Sequence, residues 1–382
     1  MASPAANGKA GTEGIGFVRL LPGDPAPRFR QRAISNPSYN FDTVAGRTIV
    51  LCFPGSGGSA IAQASLAAVA ARTDLFDDLR ASFFIVSNDP ADEAQGRLSD
   101  RYPGYRTFWD FDGTIARLYG ALPVDPMPVG EAPFRPLWVV VDRQLRLIDV
   151  IPFARDRSDI ARVIDTVERE PLAGSDSFQA PVLLLPNILE PEICEELIAG
   201  YRKNGGELSG FMREERGKTV LRADPEHKKR RDWTIEDGAL IGRLQERVRR
   251  RIVPEIARVH FFTVTRMERY IVGCYTAEDG GHFRPHRDNT TKGTAHRRYA
   301  VSINLNDDFD GGLVSFPEYG PLGFKPPPGG ALIFSCSLLH TVSPVTRGER
   351  FAFLPFLYDD AAAKIRAENN AYLDDGVAAY RP

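Results

Sequence analysis

The chain has 382 residues, a length that fits two or three domains. Hydrophobic residues make up 43% and charged residues 26%, which is ordinary for a folded globular protein and excludes a largely disordered chain. The formal net charge of −2 disfavours a strongly basic nucleic-acid-binding protein. Because the sequence holds 34 glycines and 29 prolines, it predicts many turns and substantial β structure.

The cysteines are too few and too far apart for a disulfide scaffold or a zinc site. They are Cys52, Cys194, Cys274 and Cys336. This usage favours a reducing compartment. The first residues lack the basic flank and apolar stretch of a secretory signal, and no apolar run approaches the roughly 20 residues that cross a bilayer. We therefore expect a cytoplasmic protein without a membrane segment.

A small, polar segment interrupted by Pro171 and Gly174 separates two halves of different character. The predicted organisation is a flexible N-terminus at 1–18, a first domain at 19–170, a linker at 171–180, and a second domain at 181–382 with its core at 265–360.

The first half alternates apolar, strand-like runs with helix-like stretches. The predicted strands are Thr48–Phe53, Ser82–Ser87, Leu137–Val141 and Leu145–Ile151, and the Ala-rich run Ile61–Ala71 predicts a helix. Strands separated by helices indicate an α/β sheet.

Over residues 20–170 this half resembles the peroxiredoxin branch of the thioredoxin fold. The resemblance rests on Gly23–Pro27, Phe53-Pro54, Asp112-Gly113, Leu118–Gly120 and Phe134–Pro136, which fall in that family's order. Peroxiredoxins need a thiolate in the loop and first helical turn after the Phe-Pro pair. Residues 55–62 hold no cysteine, and Cys52 lies within the apolar strand, where a buried, inert thiol is expected. We therefore expect a structural or partner-binding module without peroxidase chemistry.

The second half holds the residues that suggest metal chemistry. His286 and Asp288 form an H-x-D pair, whose members share a face if the segment is a strand. His340 follows the apolar run Ala331–Leu339, which predicts a core strand. Two imidazoles and one carboxylate are the facial triad of non-haem Fe(II) oxygenases, which leaves further coordination positions open. A lone H-x-D pair also occurs by chance in many strands.

Arg350 strengthens the prediction of a metal site. It stands ten positions after His340 and opens the strand-like tract RFAFLPFLY, in which it should face inward with Ala352 and Leu354. Because a buried guanidinium is costly unless it meets an anion, this position favours a carboxylate ligand.

Together these residues resemble the prolyl 4-hydroxylase-like branch of the Fe(II)/2-oxoglutarate dioxygenases. Further matching segments are Arg269-Tyr270, Gly280–Phe283, Leu305–Asp307, Gly311-Gly312 and Phe316-Pro317. The match covers 265–360 well and 181–264 loosely, through Pro191–Leu197 as a first helix. It implies a double-stranded β-helix, or jelly roll, with flanking helices. The expected fold class is thus an α/β, thioredoxin-like domain followed by a mainly β domain.

The resemblance implies a role for each matched residue. His286, Asp288 and His340 would bind Fe(II), and Arg350 would hold the distal carboxylate of 2-oxoglutarate, with O2 as the second cosubstrate and ascorbate as a candidate reductant. Catalytic residues beyond the metal centre are not expected. The substrate would be a peptidyl proline, an amino acid or a metabolite, and the first domain would offer a surface for a protein partner.

The tyrosine of the cosubstrate pocket has two candidates. Tyr275 matches if a two-residue insertion is allowed in 276–281, and Tyr270 is the alternative, while either could instead be a packed core aromatic. Asn304 stands where relatives often have another tyrosine, and we include it as a candidate cosubstrate contact.

Other charged and polar residues receive simpler interpretations. The basic runs 227–231 and 247–251 are predicted to be solvated faces rather than patches for an anionic substrate. His282 and His296 are expected to be surface or loop histidines. Two other functions remain as alternatives, a thiol oxidoreductase based on the first domain and a cupin-like binding protein that does not turn over.

Overall fold

The computed structural model describes residues 15–127, 132–171 and 178–379. The chain divides into two compact units, Met1–Ala173 and Gly174–Pro382. The flexible segment predicted at 1–18 and the linker predicted at 171–180 lie largely outside the described residues. Each unit is described below by itself.

The N-terminal unit contains seven strands and four α-helices within the described ranges. The strands are β1 (Arg30–Gln31), β2 (Tyr39–Asn40), β3 (Thr48–Gly55), β4 (Ala81–Ser87), β5 (Tyr105–Trp109), β6 (Leu137–Val141) and β7 (Leu147–Pro152). The helices are α1 (Ala60–Ala70), α2 (Pro90–Ala94), α3 (Thr114–Leu118) and α4 (Ser158–Arg169).

Five of these strands form one mixed sheet in the order β5-β4-β3-β6-β7. Strands β3, β4 and β5 run parallel, whereas β6 and β7 are antiparallel to their neighbours. The four predicted strands and the predicted helix are all present. The sequence analysis missed β5, whose short run Tyr105–Trp109 is interrupted by Arg106 and Thr107 and so lacks a continuous apolar pattern. Strand β7 starts later than predicted because Leu145 has a φ of 61° in the preceding turn.

The C-terminal unit is mainly β, with four α-helices among its described residues. Its strands are β8 (Leu183–Leu185), β9 (Glu207–Leu208), β10 (Phe211–Glu215), β11 (Lys218–Arg222), β12 (Lys228–Lys229), β13 (Arg231–Thr234), β14 (Arg266–Glu268), β15 (Ile271–Thr276), β16 (His282–His286), β17 (Tyr299–Asn304), β18 (Asp310–Gly311), β19 (Val314–Ser315), β20 (Gly323–Phe324), β21 (Ala331–Ser335), β22 (His340–Val342), β23 (Val345–Arg347), β24 (Glu349–Phe353) and β25 (Phe356–Tyr358). Its helices are α5 (Pro191–Asn204), α6 (Gly238–Arg251), α7 (Val253–His260) and α8 (Asp360–Glu368).

Two antiparallel sheets make up most of this unit. The larger follows the order β14-β25-β17-β24-β15-β13-β9, with β21 joined to β17 and β8 joined to β21. The smaller follows the order β12-β16-β22-β19-β20. One core cluster joins their facing sides, where Phe334 from the larger sheet and Phe283 from the smaller are both buried. This is the predicted two-sheet jelly-roll arrangement.

Strand alternation decides which residues of the larger sheet face the smaller one. Val301 and Ile303 of β17 and Phe351 and Phe353 of β24 belong to the core cluster that includes helices α5, α6 and α7. The residues that alternate with them along these two strands therefore point into the space between the sheets. Arg350 is one of them, as its sequence position predicted.

Two predicted strands are shorter than the apolar pattern suggested. The run 331–339 ends as a strand at Ser335, and a turn then carries the chain to β22 in the other sheet, so His340 begins a new strand. The tract RFAFLPFLY forms two strands, β24 and β25, because Pro355 has no N–H to continue the ladder. Leu354 consequently lies beyond β24 and is half-buried, but its side chain still packs at Gly273 beside that of Arg230, on the inner side as predicted.

A buried carboxylate connects the end of the chain to the larger sheet. Glu268 on β14 accepts hydrogen bonds from His296 and Arg297 at 3.0 and 2.9 Å and pairs with Arg366 on α8 at 2.5 Å. His296 lies in a loop, which was one of its two predicted placements, but it is 1% exposed and so is not a surface residue. Burial alone would raise the pKa of Glu268, but the hydrogen bond from His296 and the two guanidinium charges hold that pKa well below its usual range.

Within the described residues, no helix is long and apolar enough to cross a membrane.

Replacing Glu268 by Gln should destabilise the C-terminal unit, because the variant leaves buried cations without their anion. We expect the free energy of unfolding at pH 7 to fall by about 3 kcal/mol. A carboxylate with a depressed folded-state pKa contributes stability that is complete above its unfolded pKa and lost as the pH falls below it. The parent should therefore lose stability below about pH 4.5, the usual value for glutamate. Denaturant titrations should show a weaker acid dependence for E268Q, while exposed E278Q behaves like the parent.

Candidate metal and cosubstrate site

Three potential metal ligands converge between the two sheets. One ligand atom from each of His286, Asp288 and His340 lies within 4.8 Å of the others. The Asp288 carboxylate is 3.7 Å from Nε2 of His286 and 3.4 Å from Nε2 of His340. Strand pairing produces this arrangement, because His286 and His340 are direct partners across β16 and β22. Asp288 lies two residues beyond the end of β16, and its N–H donates to the carbonyl of Cys336 at 3.0 Å.

Backbone carbonyls determine which nitrogen of each histidine is available. Nδ1 of His286 lies 2.8 Å from the carbonyl of Arg284, and Nδ1 of His340 lies 3.0 Å from that of Leu338. Since a carbonyl only accepts, Nδ1 carries a proton in both rings, and Nε2 is the nitrogen that faces the group. Burial, together with the neighbouring His340, keeps the pKa of His286 well below its usual value. The His286 ring is therefore neutral and suited to metal binding.

A second buried carboxylate, Glu318, connects the two segments that carry the ligands. It accepts from the Arg287 guanidinium at 2.9 Å, and Arg287 lies between the first two ligands in sequence. It also accepts from the backbone N–H of Leu339 at 2.9 Å, immediately before His340. Arg287 in turn donates to the carbonyl of Ser337. Glu318 thus fixes both segments relative to each other.

Arg350 lies in the same inter-sheet region without an anionic partner among the described residues. It is 1% exposed. Its Nε donates to the Asn304 amide oxygen at 3.1 Å, and Nη2 donates to the Ser302 hydroxyl at 2.9 Å. Burial lowers the pKa of Arg350, whereas neighbouring Tyr275 raises it. A fully buried cation held only by neutral oxygens is the arrangement expected before an anionic ligand binds.

The structure distinguishes the two tyrosine candidates. Tyr275 is 2% exposed and is the direct cross-strand partner of Arg350, whose guanidinium carbon lies 5.4 Å from the tyrosine ring centre. Tyr270 instead packs in the helix-side core and its hydroxyl accepts from Gln245 at 2.6 Å. Tyr275 is therefore placed beside Arg350, together with Asn304, whereas Tyr270 is not.

The basic run 227–231 is not the solvated face that was predicted. Lys228 and Arg230 are 3% and 6% exposed, respectively. Both side chains lie on the buried face of their segment, where they alternate with more exposed neighbours. Lys228 is the cross-strand partner of Phe283. The Phe283 ring stacks on that of His286 with 3.4 Å between centres. Sequence reasoning missed these cations, although the alternation of Lys228, Arg230 and Asp232 was a usable signal for one shared face.

Family comparisons agree with these geometries. Residues 270–358 match the 2OG-Fe(II) oxygenase superfamily. This confirms the predicted resemblance. Residues 22–149 match the AhpC/TSA family, which likewise confirms the peroxiredoxin-like character of the N-terminal unit.

Curated relatives match the C-terminal unit over a limited length. The chain is 31% identical to PKHD-type hydroxylase Mmar10_1675 of Maricaulis maris over 121 residues, which are 31% of this chain and 54% of the relative. It is 36% identical to PKHD-type hydroxylase PiuC of Pseudomonas aeruginosa over 91 residues, which are 22% of this chain and 39% of the relative. The chain thus spans about half or less of the length of these relatives.

Solved structures resemble the two units separately. A prolyl hydroxylase from Trichoplax adhaerens, solved with a hypoxia inducible factor peptide, is 19% identical, covers 49% of this chain and 86% of its own, and has a TM-score of 0.40. Peroxidoxin BcpB from Mycobacterium tuberculosis is 20% identical, covers 40% of this chain and 99% of its own, and has a TM-score of 0.32.

Replacing Glu318 by Gln should weaken metal binding without removing a ligand. The amide keeps the shape but loses the charge that holds Arg287, so we expect the affinity for Mn(II) to fall about 10- to 100-fold. Calorimetric titration of the full chain measures this, with H286A as the variant that loses a ligand and exposed E226Q as the matched control. An E318Q affinity equal to that of the parent would show that Glu318 does not position the ligands.

Proposed function

We propose that the chain is an Fe(II)- and 2-oxoglutarate-dependent dioxygenase that hydroxylates an unactivated C–H bond and releases succinate and CO2. The observation that carries the proposal is the presence, in one inter-sheet region, of a His-Asp-His group and a buried guanidinium held only by neutral oxygens. The matches to oxygenases and to PKHD-type hydroxylases support it.

The residues fit the proposed cofactor and cosubstrate. His286, Asp288 and His340 supply the two imidazoles and one carboxylate that suit non-haem Fe(II). When bound there, iron would activate O2, the oxidant, and 2-oxoglutarate would supply two of the four electrons that O2 takes up, the substrate C–H bond supplying the other two. Arg350 would hold the distal carboxylate through its fork of N–H donors, with Tyr275 packed beside it.

The surrounding core protects and orients the site. Phe316 and Phe334 pack around the His340 ring, with ring centres 6.4 and 4.6 Å away, and Phe283 covers His286. These apolar walls limit the access of water to the metal ligands and to the bound cosubstrate. Side chains of the three ligands nevertheless remain 7 to 14% exposed, so the group is reachable from solvent.

The alternative thiol-redox function lacks a suitable cysteine among the described residues. Cys52 is 0% exposed within β3, and burial raises the pKa of its thiol far above the usual value. Residues 55–62, where peroxiredoxins need the thiolate, contain none. The inert cupin-like alternative is disfavoured by the complete triad together with Arg350.

The proposed substrate is a peptidyl proline, an amino acid or a metabolite. The N-terminal unit is proposed to bind a protein partner. A cytoplasmic location is proposed as well, because all four cysteines are free and buried.

Anaerobic addition of Fe(II) and 2-oxoglutarate should produce a weak visible metal-to-ligand absorption band. H286A should lose the band because it lacks one of the ligands. Arg350→Met should raise the KM for 2-oxoglutarate at least about tenfold, since a charge-assisted contact is lost. Succinate formation provides the second readout.

Arg347→Met is the matched control for the Arg350 variant, because Arg347 lies three residues away and pairs with Asp310 at the surface. It should behave like the parent. Absence of the band in the parent protein would favour the non-catalytic alternative.

The four thiols should not react in the folded protein. Because each is buried, and burial raises the pKa of Cys194 to about 11 and of Cys274 to about 12, we expect no thiolate at neutral pH. A chromogenic disulfide reagent should titrate four thiols only after denaturation. Rapid labelling of one thiol in the native protein, or thiol-dependent peroxide reduction, would instead support a redox function.

A further inference from the structure

Beside the proposed metal and cosubstrate site lies a second group of charges, formed by Lys228, Arg230, Asp232 and Arg269 and here called the basic cluster. If Fe(II) and 2-oxoglutarate bind as proposed, the formal charges of Fe(II), 2-oxoglutarate, Asp288 and Arg350 sum to zero. The basic cluster is then left with three cations and one carboxylate, a surplus of two positive charges. Burying such a surplus is costly unless an anion balances it or protons are lost.

Arg230 and Asp232 form the satisfied part of the basic cluster. Their two-point ion pair has distances of 2.6 and 2.7 Å. Nη1 of Arg230 also donates to the Tyr275 hydroxyl at 3.3 Å, and Nη2 donates to Ser209. Burial would raise the pKa of Asp232, but the charge of Arg230 holds it well below its usual range. Arg230 therefore has little capacity left for a ligand.

Lys228 has no anionic partner among the residues that the structure describes. Its ammonium group donates to the Ser209 hydroxyl and to the Gly210 carbonyl, both at 2.6 Å. One of its three N–H donors is left over. Burial lowers the pKa of Lys228 well below the usual value, and the charges of Arg230 and Arg269 lower it further. A nearby anion would restore the charged form.

Arg269 is the most open member of the basic cluster. Its one described hydrogen bond runs from Nη2 to Asp232 at 3.2 Å, which leaves most of its five donors free within the described structure. Desolvation, followed by the charge of Arg230, lowers its pKa to about 10, yet 27% of its side chain is exposed. Arg269 is therefore partly desolvated and still reachable from water.

The basic cluster adjoins the triad through Lys228, which is the cross-strand partner of Phe283 on the strand that ends at His286. The carboxylate of Asp288 raises the pKa of both Lys228 and Arg269 through its charge, and the charge of Lys228 lowers that of His286. The Lys228 nitrogen lies 4.9 Å from the centre of the Phe283 ring, which stacks on His286.

Resting on the function proposed above, we propose that Lys228 and Arg269 bind a carboxylate of the substrate itself, a second anion besides 2-oxoglutarate. This selects a small molecule with a free carboxylate, such as an amino acid or an organic acid, over a proline inside a peptide chain. The carboxylate would take the third ammonium donor of Lys228 and the free donors of Arg269, and Arg230 would keep Asp232 in place beneath it.

Acetate and its neutral analogue acetamide test the proposal directly. The full chain is loaded with Mn(II) and 2-oxoglutarate under argon, so that Arg350 is already occupied, and its unfolding midpoint is followed at constant ionic strength. Acetate should raise the midpoint with a saturable concentration dependence, whereas acetamide should not. Lys228→Met and Arg269→Gln should each weaken the apparent acetate affinity about tenfold, and Lys229→Met should match the parent.

The outcomes separate this proposal from the proposed function. Equal effects of acetate and acetamide, no acetate effect on the parent, or an unchanged acetate affinity in both variants would overturn the carboxylate site. Failure of Mn(II) and 2-oxoglutarate to stabilise the chain would instead count against the dioxygenase function. In that case acetate is titrated on metal-free Arg350→Met protein, in which Arg350 cannot bind it, so that the carboxylate site is still tested. If one variant does not fold, the other carries the test.

A cell extract can serve as the source of the unidentified substrate. When the loaded enzyme acts on it in the presence of O2, a product 16 Da heavier than its substrate should form only if the carboxylates of the extract are free. The matched sample is the same extract after its carboxylates are converted to methylamides. Equal product from both samples would contradict the proposal and favour a peptidyl substrate.

Discussion

The C-terminal site depends on the pairing of two short antiparallel strands. Because His286 and His340 are direct partners across β16 and β22, two imidazoles more than 50 residues apart in sequence arrive side by side. A shift of the register by one residue would turn one ring to the opposite face of the sheet, so the pairing must be specified strongly. The apolar neighbours that stack on these rings and the Glu318 bridge both oppose such a shift.

The larger sheet contributes a different kind of group from the smaller one. The smaller sheet and the loop after β16 supply two imidazoles and one carboxylate, whereas the inner face of the larger sheet supplies Arg350 and its polar neighbours Ser302 and Asn304. Metal ligands and cation are therefore held on separate, rigid surfaces. This separation leaves the space between them for a molecule that carries both chelating oxygens and a distant carboxylate, as 2-oxoglutarate does.

Sequence patterns reached the ligand residues but not the groups that hold them. The H-x-D pair, the later histidine and Arg350 could be predicted from their spacing and from strand alternation. Glu318 could not, because its partners Arg287 and Leu339 are distant in sequence. Nothing in an isolated Phe-Pro-Glu segment distinguishes a buried carboxylate from an exposed one. Strand ends were also misjudged, since apolar runs such as 331–339 continue through turns. Within the N-terminal unit, β5 was missed because buried polar residues broke its apolar run.

The error over Lys228 and Arg230 has the largest consequence. A run of basic residues is usually solvated because burying a cation costs more than most contacts return. Here the chain places two of them inside and neutralises only part of their charge with Asp232. Stability alone gives no reason to retain a buried ammonium that faces two neutral oxygens, since a methionine of similar length would pack at lower cost. The proposed substrate carboxylate would offset this cost while it is bound.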